Sequence, residues 1–430
     1  MAKRKKNVRK ERQEPCPLCA VDLGSSCIRA MAAEENPDGT LHILGLESIQ
    51  KYGPVEHGII VQTTEASGLV RRMLTLLTNR VGVHDLIDHV YITIGGRLLQ
   101  LKEVSVKRDL ISRNYISDKL LEAMQDECRT KIEDRYNTMA VLHTEPVKYL
   151  LDGVEQADAP AKDQKAKFIE IVYNVFVGMR ESRDNAKGCF DRANVTIEQQ
   201  WVRPDALLTA LADDNDMDEG CAIIDFGAET TSMSIYKGDR FLYSRVIPYG
   251  GYDINLNIQS QRVSFEIAER LKTEFGAAAE QLIDEDRTLS VRSTLQTGEK
   301  VKIKTSKLAQ LIQMKLFEIL DPLLQDLHMF EDQIKHVYIT GGGCKLAGMQ
   351  EYLQAMTPLQ VDYGTHSAWL EEDADEEYYD PQNAALVGTL ALAAELRRDY
   401  PDKGPVSVPP WRKFFDNAIQ TTLEIFTDQN

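Results

Sequence analysis

The stretch "CAIIDFGAETTSMSIY" occupies residues 221–236. An apolar run ends in Asp225, a glycine and short polar residues come next, and apolar residues then return at alternate positions. Alternation with a period of two predicts two strands joined by a tight turn. Taken alone, the stretch fits an ordinary hairpin with a surface aspartate as well as it fits a phosphate-binding hairpin.

A second stretch, "CAVDLGSS" at 19–26, has the same plan about 200 residues earlier. Each copy has an apolar strand, then Asp-x-Gly, then small residues, several with hydroxyl groups, and each begins an α/β unit. An internal repeat of this kind predicts two related halves. The pentapeptide "HVYIT" also occurs twice, at 89–93 and 336–340. We interpret that second match as coincidence, because a two-strand pattern rather than a helix succeeds the first copy.

Both Asp-x-Gly turns have the chemistry of a phosphate site. Glycine allows the backbone to approach a ligand closely, and backbone N–H groups and hydroxyls can donate to phosphate oxygens. Mg²⁺ prefers a few carboxylates with retained waters, so an aspartate at each strand end would hold it through water. The candidate phosphate residues are Gly24, Ser25, Ser26, Gly227, Thr230 and Thr231, and the candidate Mg²⁺ residues are Asp22 and Asp225.

A glycine triplet, Gly341, Gly342 and Gly343, comes after a third apolar strand and is expected to open a helix. A nucleoside could lie there against bare backbone near the positive end of the helix. The alternative interpretation is two unrelated hairpins and a glycine-rich turn. Three such features in this order favour a nucleotide clamp.

Length and charge limit the classes of protein. A chain of 430 residues exceeds one hydrophobic core, so two or more domains are expected. A net charge of −17 argues against nucleic-acid binding. We expect neither a signal peptide nor a membrane-spanning helix, since no apolar run reaches ~20 residues. The seven scattered cysteines favour buried free thiols, although Cys16 and Cys19 form a lone CxxC.

The domain order is indicated by where the α/β pattern breaks and resumes. Residues 86–176 change character and predict a small inserted domain. The predicted units are a disordered basic tail at 1–16, the first α/β subdomain at 17–85 and 177–219, and the insert at 86–176. The second α/β subdomain takes 220–261 and 336–398, a further subdomain takes 262–335, a linker takes 399–410, and a terminal helix takes 411–430.

The last segment, "WRKFFDNAIQTTLEIF", comes after the proline-rich stretch 401–410. Its apolar residues recur at three-to-four spacing and predict one apolar helix face, with two basic residues at its start. Such a face fits a helix in the membrane interface, although acidic residues weaken its attraction to anionic lipid. A helix docked on the body of the protein or on a partner is the alternative. The proposed membrane residues are Trp411, Phe414, Phe415, Ile419, Leu423 and Phe426.

This order of motifs resembles the actin-like ATPase superfamily and, within it, the FtsA family of bacterial cell-division proteins. The likeness rests on "VDLGSSCIRA", "VEHGIIV", "DFGAETTSMSIYKGDRFLYSRVIPYGG", "EIAERLKTEFG", "VYITGGGCKLAGM" and "NAALVGTLALA". It implies a two-domain α/β fold of the actin-like (ribonuclease H-like) type, with an FtsA-type insert in the first half. Ala228 and Glu229 depart from it, because the superfamily often has two glycines there.

The resemblance implies an ATP-binding protein that forms filaments of itself, lies peripherally on the cytoplasmic face of the membrane at the division site, and contacts other division proteins. The tail of FtsZ would bind residues 262–335, and Glu269 and Lys272 would contact the nucleoside. Hydrolysing members of the superfamily place Glu or Gln near the first connecting helix, where this chain has Arg203, with Gln199 and Gln200 a few residues upstream and Asp205 as another nearby candidate. No catalytic base is therefore assigned, and slow or absent hydrolysis is expected. A pilus-assembly adaptor like PilM, a phosphotransferase of the same fold and a shape-determining filament like MreB are the alternatives.

Overall fold

The computed structural model describes residues 17–399, apart from 84–86, 111–114, 157–158, 161–163, 239, 284, 295–297 and 366. The proposed membrane residues and the basic tail lie outside the described residues. Within the described residues, no helix is both long and apolar enough to cross a bilayer. Six of the seven cysteines are described, and all six are buried; Cys27, Cys128, Cys189, Cys221 and Cys344 are free thiols, as the sequence predicts.

The first half of the chain runs from β1 to α5. Its elements are β1 (Leu18–Leu23), β2 (Cys27–Glu35), β3 (Leu41–Gln50), β4 (Val55–Glu56), β5 (Ile59–Ile60), α1 (Thr63–Val81), β6 (His89–Ile94), β7 (Gln100–Asp109), α2 (Asp118–Arg135), β8 (Met139–Leu151), β9 (Val154–Gln156), β10 (Phe168–Met179), α3 (Arg180–Ala193), β11 (Thr196–Val202), α4 (Arg203–Leu211) and α5 (Asp214–Glu219).

The second half begins at the hairpin of residues 221–236. Its elements are β12 (Cys221–Phe226), β13 (Thr231–Lys237), β14 (Arg240–Ile247), α6 (Gly251–Gln259), α7 (Phe265–Phe275), β15 (Thr288–Arg292), β16 (Lys300–Lys304), α8 (Thr305–His328), β17 (His336–Thr340), α9 (Met349–Gln354), β18 (Gln360–Tyr363) and α10 (Ala384–Asp399). The hairpin agrees with the sequence-based prediction.

Two five-stranded sheets repeat one plan. The first has the order β11-β6-β1-β2-β3 and the second has the order β18-β17-β12-β13-β14. In each, the hairpin strands pair antiparallel and a later strand pairs parallel to the first. That later strand is "HVYIT" in both halves, β6 in one and β17 in the other. Our interpretation of "HVYIT" as coincidence is therefore wrong, because both copies occupy the same place in the repeat.

The inserted unit is an antiparallel sheet of order β7-β10-β8-β9 covered by α2. Strand β6 lies in the first sheet, although the sequence-based boundary puts residues from 86 onward in the insert, whose own sheet begins at Gln100. The insert also contacts the second half: the Asn174 side chain donates to the Phe241 carbonyl at 2.7 Å, and the Phe176 and Phe241 rings lie 5.1 Å apart.

Alternation along the first strand explains how the sheet is covered. Cys19 and Val21 pack under α1 and α3, whereas Leu18 and Ala20 pack against α10. Strands buried on both faces carry apolar residues at successive positions, as β1 does. The last described helix, α10, therefore packs against the first sheet and covers its second face.

A close crossing of α4 and α10 fixes the position of the N-terminal end of α4. A Cβ atom added to Gly388 would lie 1.7 Å from the Ala206 carbonyl oxygen, so only glycine permits this approach. Helix α4 begins at Arg203 and has proline in its first turn, where the missing N–H costs nothing. The crossing therefore holds the start of α4 at a defined position between the two sheets.

Candidate functional site

A cavity of about 450 Å³ lies between the two halves, within the usual size range of ligand sites. Its lining includes every nucleotide residue predicted from the sequence except Thr231: Asp22, Gly24, Ser25, Ser26, Asp225, Gly227, Thr230, Glu269, Lys272, Gly341, Gly342 and Gly343. Thr231 is fully buried, and its hydroxyl donates to the Tyr249 carbonyl at 2.9 Å. The fold thus brings together residues that lie far apart along the chain.

The two Asp-x-Gly turns have the same backbone geometry. Gly24 N–H donates to the Cys27 carbonyl at 3.1 Å, and Gly227 N–H donates to the Thr230 carbonyl at 2.9 Å. A Cβ added to either glycine would lie 2.8 Å from that carbonyl oxygen. Both turns require glycine for this reason, and the two residues after each glycine line the cavity.

The glycine triplet comes after β17 and lies against the second turn. Gly341 has φ +85°, and a Cβ there would lie 2.4 Å from an Asp225 carboxylate oxygen. A Cβ on Gly343 would lie 2.4 Å from the Phe226 ring, whereas one on Gly342 would meet nothing within 4 Å. The triplet opens a single 3₁₀ turn, Gly342–Lys345, and helix α9 begins later at Met349, so the expectation that it opens a helix directly is wrong.

Arg203 lies between the two predicted Mg²⁺ carboxylates. Its Nη1 donates to Asp22 Oδ1 at 2.7 Å and its Nε donates to Asp225 Oδ2 at 2.5 Å. Asp22 is 6% exposed and Asp225 is 7% exposed. Burial alone would lower the pKa of Arg203, but the two carboxylates outweigh it and raise that pKa above its ordinary value. The positive charge between the two aspartates, where the sequence predicts Mg²⁺, is therefore the Arg203 guanidinium.

Glu229 crosses the cleft. Its side chain accepts a hydrogen bond from the His57 backbone N–H at 2.6 Å, and His57 Nδ1 lies 3.0 Å from the Glu229 carbonyl oxygen. The next residue along the β4–β5 turn, Gly58, donates its N–H to Ser25 Oγ at 3.2 Å. This turn, carried by "VEHGIIV", thereby contacts both phosphate-type hairpins and ties the halves together at one edge of the cavity.

Glu269 and Lys272 lie on α7 and line another part of the cavity. Lys272 Nζ donates to the Gly251 carbonyl at 3.0 Å and to Glu269 Oε2 at 2.8 Å. Burial lowers the pKa of Lys272, and the Glu269 carboxylate opposes that shift only in part. Asn255 donates to the same Glu269 oxygen. The pair is thus built into the wall and presents a fixed polar surface to a ligand.

The residues present fit a nucleotide better than they fit the predicted metal. The two turns offer backbone N–H groups, the triplet offers a bare backbone, and the cavity is large enough. A Mg²⁺ ion between Asp22 and Asp225 does not fit, because the Arg203 guanidinium is already bonded to both carboxylates. Within the described residues, no cluster of three or more His, Cys, Asp or Glu could hold a metal.

Three residues that line the cavity, Arg29, Tyr52 and Lys345, are not among the site residues predicted from the sequence, although Arg29 and Lys345 lie within the quoted motifs. Arg29 donates to the Gln382 side chain at 2.8 Å, and Tyr52 lines the cavity with its ring 5.1 Å from that of Tyr252. Lys345 pairs with Asp380. Only Arg29 has a weak local signal, because it faces Asp22 across the β1–β2 pair, where a charged residue in an apolar strand is unusual.

None of the residues that the sequence offers as a general base lines the cavity. Asp205, a candidate from the sequence, pairs with His143 of the insert at 3.2 Å and does not line the cavity. Gln199 and Gln200 lie in β11, and neither lines the cavity. The side chain nearest in sequence to that role, Arg203, is a cation that cannot accept a proton at neutral pH.

Comparison with known proteins identifies the relatives. A family model described as "Cell division protein FtsA" matches residues 222–388. The curated FtsA of Porphyromonas gingivalis is 24% identical over 351 residues, which cover 79% of this chain and 72% of the relative. FtsA of Bacillus subtilis is 23% identical over 388 residues, which cover 88% of this chain and 84% of the relative. Over most of its length the chain is therefore similar to FtsA cell-division proteins.

Solved structures show that the chain has an actin-like fold. A "PilM-PilN type IV pilus biogenesis complex" superposes with a TM-score of 0.63 at 17% identity and covers 88% of this chain and 98% of that chain. MreB 5 of Spiroplasma citri, solved with AMPPNP, superposes with a TM-score of 0.54 at 13% identity and covers 91% of this chain and 99% of that chain. The predicted fold class is confirmed.

Proposed function

We propose that this chain is an ATP-binding cell-division adaptor that assembles with copies of itself and tethers FtsZ filaments to the inner face of the cytoplasmic membrane. The observation that carries the proposal is the pair of matching Asp-x-Gly turns, which line one cavity together with the glycine triplet. The similarity to FtsA proteins supports the proposed cellular role. The likeness to PilM is a likeness of fold, so the adaptor of pilus assembly is the weaker candidate.

ATP is the proposed ligand. Its phosphates would lie on the backbone of the two turns, and its nucleoside would lie between the triplet and the Glu269–Lys272 pair. Asp22 and Asp225 are the residues predicted for Mg²⁺, and they could serve a metal only after Arg203 had left them. Binding of ATP would favour the closed, assembling form of the chain by its greater affinity for that form.

A chemical output is not part of the proposal. A phosphotransferase needs a positioned general base, and the described lining of the cavity offers an arginine where one is expected. We therefore propose slow or absent hydrolysis of ATP, with nucleotide binding itself as the signal.

Helix α8 offers a surface for the FtsZ tail within residues 262–335. Its buried face packs in the core of the second half, while Met314 and Phe317 stand 59% and 52% exposed on the outside. Large exposed apolar side chains on one helix face are typical of a site for a partner segment. This pair is therefore proposed as part of the tail-binding surface.

Replacing Phe317 by serine is expected to weaken binding of an FtsZ tail peptide about tenfold or more, because buried aromatic anchors contribute most to such contacts. Fluorescence anisotropy with a labelled peptide measures this. Leu256→Ser is the matched control, since Leu256 is 60% exposed on α6, outside the proposed surface.

Equal losses in both variants, or none in Phe317→Ser, would contradict the assignment of this surface.

Co-sedimentation with FtsZ, with and without ATP, tests the proposed function itself. We expect FtsZ and the chain to pellet together more strongly with ATP. Absence of any FtsZ interaction, together with phosphorylation of a metabolite, would favour a phosphotransferase instead.

A further inference from the structure

Arg203 lies between the two Asp-x-Gly turns and makes two charged hydrogen bonds, one to an aspartate in each half of the protein. Asp22 lies near the end of β1 in the first sheet and Asp225 lies in β12 of the second. Removing two carboxylates from water is costly unless a cation compensates them. The guanidinium provides that compensation with a fixed fork of donors, which a lysine or a mobile ion would supply differently.

The position of Arg203 is set by the scaffold rather than by the carboxylates alone. It is the first residue of α4, and the crossing of Gly388 over Ala206 fixes that helix. A Cβ added to Gly95 would lie 3.4 Å from Arg203 Cδ, so the backbone at Gly95 passes directly against its stem. The side chain is thus confined on the way to the two carboxylates.

The other cations that line the cavity are engaged elsewhere. Arg29 donates to Gln382, Lys272 donates to Gly251 and Glu269, and Lys345 pairs with Asp380. Of the cations in the described lining, Arg203 alone pairs with Asp22 and Asp225. Asp225 Oδ1 has no hydrogen-bond partner among the described residues, so the site keeps one acceptor facing the triplet.

We propose that Arg203 takes the place of the divalent cation, so that this chain binds nucleotide without a requirement for Mg²⁺. The inference rests on the nucleotide-binding function proposed above and adds the charge that neutralises the site. The metal and the guanidinium are then mutually exclusive between the two aspartates, and removal of the guanidinium creates a metal site.

The first arm of the test uses Mn²⁺ alone, without nucleotide. Wild-type protein is expected to show no Mn²⁺ bound at this site by electron paramagnetic resonance and no rise in melting temperature with Mn²⁺ or Mg²⁺. Arg203→Gln is expected to melt lower, because it leaves two adjacent buried carboxylates, and to regain stability when Mn²⁺ binds. Arg203→Lys keeps the charge and is expected to exclude the metal as the wild type does.

A double variant, Arg203→Gln with Asp225→Asn, locates the effect. It should lose the Mn²⁺ response of the single variant, because one of the two carboxylates is then neutral. Mn²⁺ bound by the wild type and lost in Asp225→Asn would overturn the proposal, as would an Arg203→Gln variant that folds and shows no metal response.

The second arm measures ATP affinity by calorimetry with excess Mg²⁺ and with EDTA. The wild type is expected to bind equally well in both. Arg203→Gln should bind about tenfold or more weakly in EDTA than in Mg²⁺, because in EDTA no cation neutralises the two aspartates beside the phosphates. A wild type that needs Mg²⁺ for ATP overturns the inference, and this readout stands even where Arg203→Gln fails to fold. Absence of ATP binding under both conditions refutes the proposed function, while the metal arm still decides the role of Arg203.

Discussion

Glu229 belongs to the second Asp-x-Gly turn and lines the cavity proposed for the phosphates. An acidic side chain beside phosphates is unfavourable unless it turns away, and the sequence alone leaves open whether it does so or meets a metal. The structure turns it across the cleft to the His57 backbone. The chain uses this position to hold its two halves together.

Glu229→Ala is expected to free the His57 amide. A hydrogen bond to a charged acceptor contributes ~1.5–3 kcal/mol, so the amide should exchange its proton about 10–100 times faster in the variant. Hydrogen exchange followed by mass spectrometry or NMR measures the rate. Glu65→Ala is the control, because Glu65 makes an exposed ion pair with Lys51. An unchanged rate at His57 in Glu229→Ala would show that the cross-cleft bond carries no weight.

Arg203 shows what a single sequence cannot reveal about a site. In the sequence, Arg203 has only one local feature: it precedes a proline at the start of a predicted helix. That its guanidinium lies between two aspartates 181 and 22 residues away depends on how two sheets and one helix pack. The aspartates and glycines could be predicted because each carries a local turn pattern, whereas the arginine carries none.

At the scale of elements, the strands and helices of both halves are explained by their apolar patterns, and the repeat of the Asp-x-Gly hairpins is present in backbone detail. The two copies of "HVYIT" have different downstream neighbours, which favours coincidence as long as only local context is considered. In the structure the same pentapeptide forms the parallel neighbour of each first strand. Parallel pairing joins segments that lie far apart in sequence. The residues that follow each copy of "HVYIT" therefore do not show which strand it pairs with.

The crossing of α4 and α10 is a second contact that no local pattern announces. In an exposed helix, Gly→Ala stabilises by up to about 1 kcal/mol. At Gly388 the added methyl group would collide with the Ala206 carbonyl, so we expect Gly388→Ala to destabilise by about 1–3 kcal/mol. Chemical denaturation measures the change in the free energy of unfolding for each variant. Gly68→Ala on α1 is the control, since a Cβ there meets nothing within 4 Å. Stabilisation by Gly388→Ala would refute the close crossing.

At the scale of the whole molecule, the structure shows two α/β halves with an insert in the first and a cleft between them, and β6 belongs to the first sheet rather than to the insert. The proposed membrane helix at 411–430 lies outside the described residues and remains a prediction. It rests on the apolar face of the segment and on family likeness.

Truncation to residues 1–410 tests that prediction. Full-length protein is expected to pellet with liposomes containing anionic lipid, and the truncated chain is expected to stay in the supernatant. Truncation removes no residue of the described fold, so both chains should melt at the same temperature. Equal pelleting of the two chains would contradict a membrane-binding tail.

We propose above that the cleft between the two hairpins holds a nucleotide. Gly342 allows a clean test, because it lines the cavity, its backbone is not in the left-handed region, and a Cβ there meets nothing within 4 Å. Gly342→Leu should therefore fold normally and fill the place proposed for the nucleoside. Calorimetric titration with ATP is predicted to show binding to the wild type and to Gly68→Ala, and a loss of about tenfold or more in Gly342→Leu. Equal ATP affinity in Gly342→Leu and the wild type, with unchanged melting temperatures, would contradict a nucleotide site in this cleft.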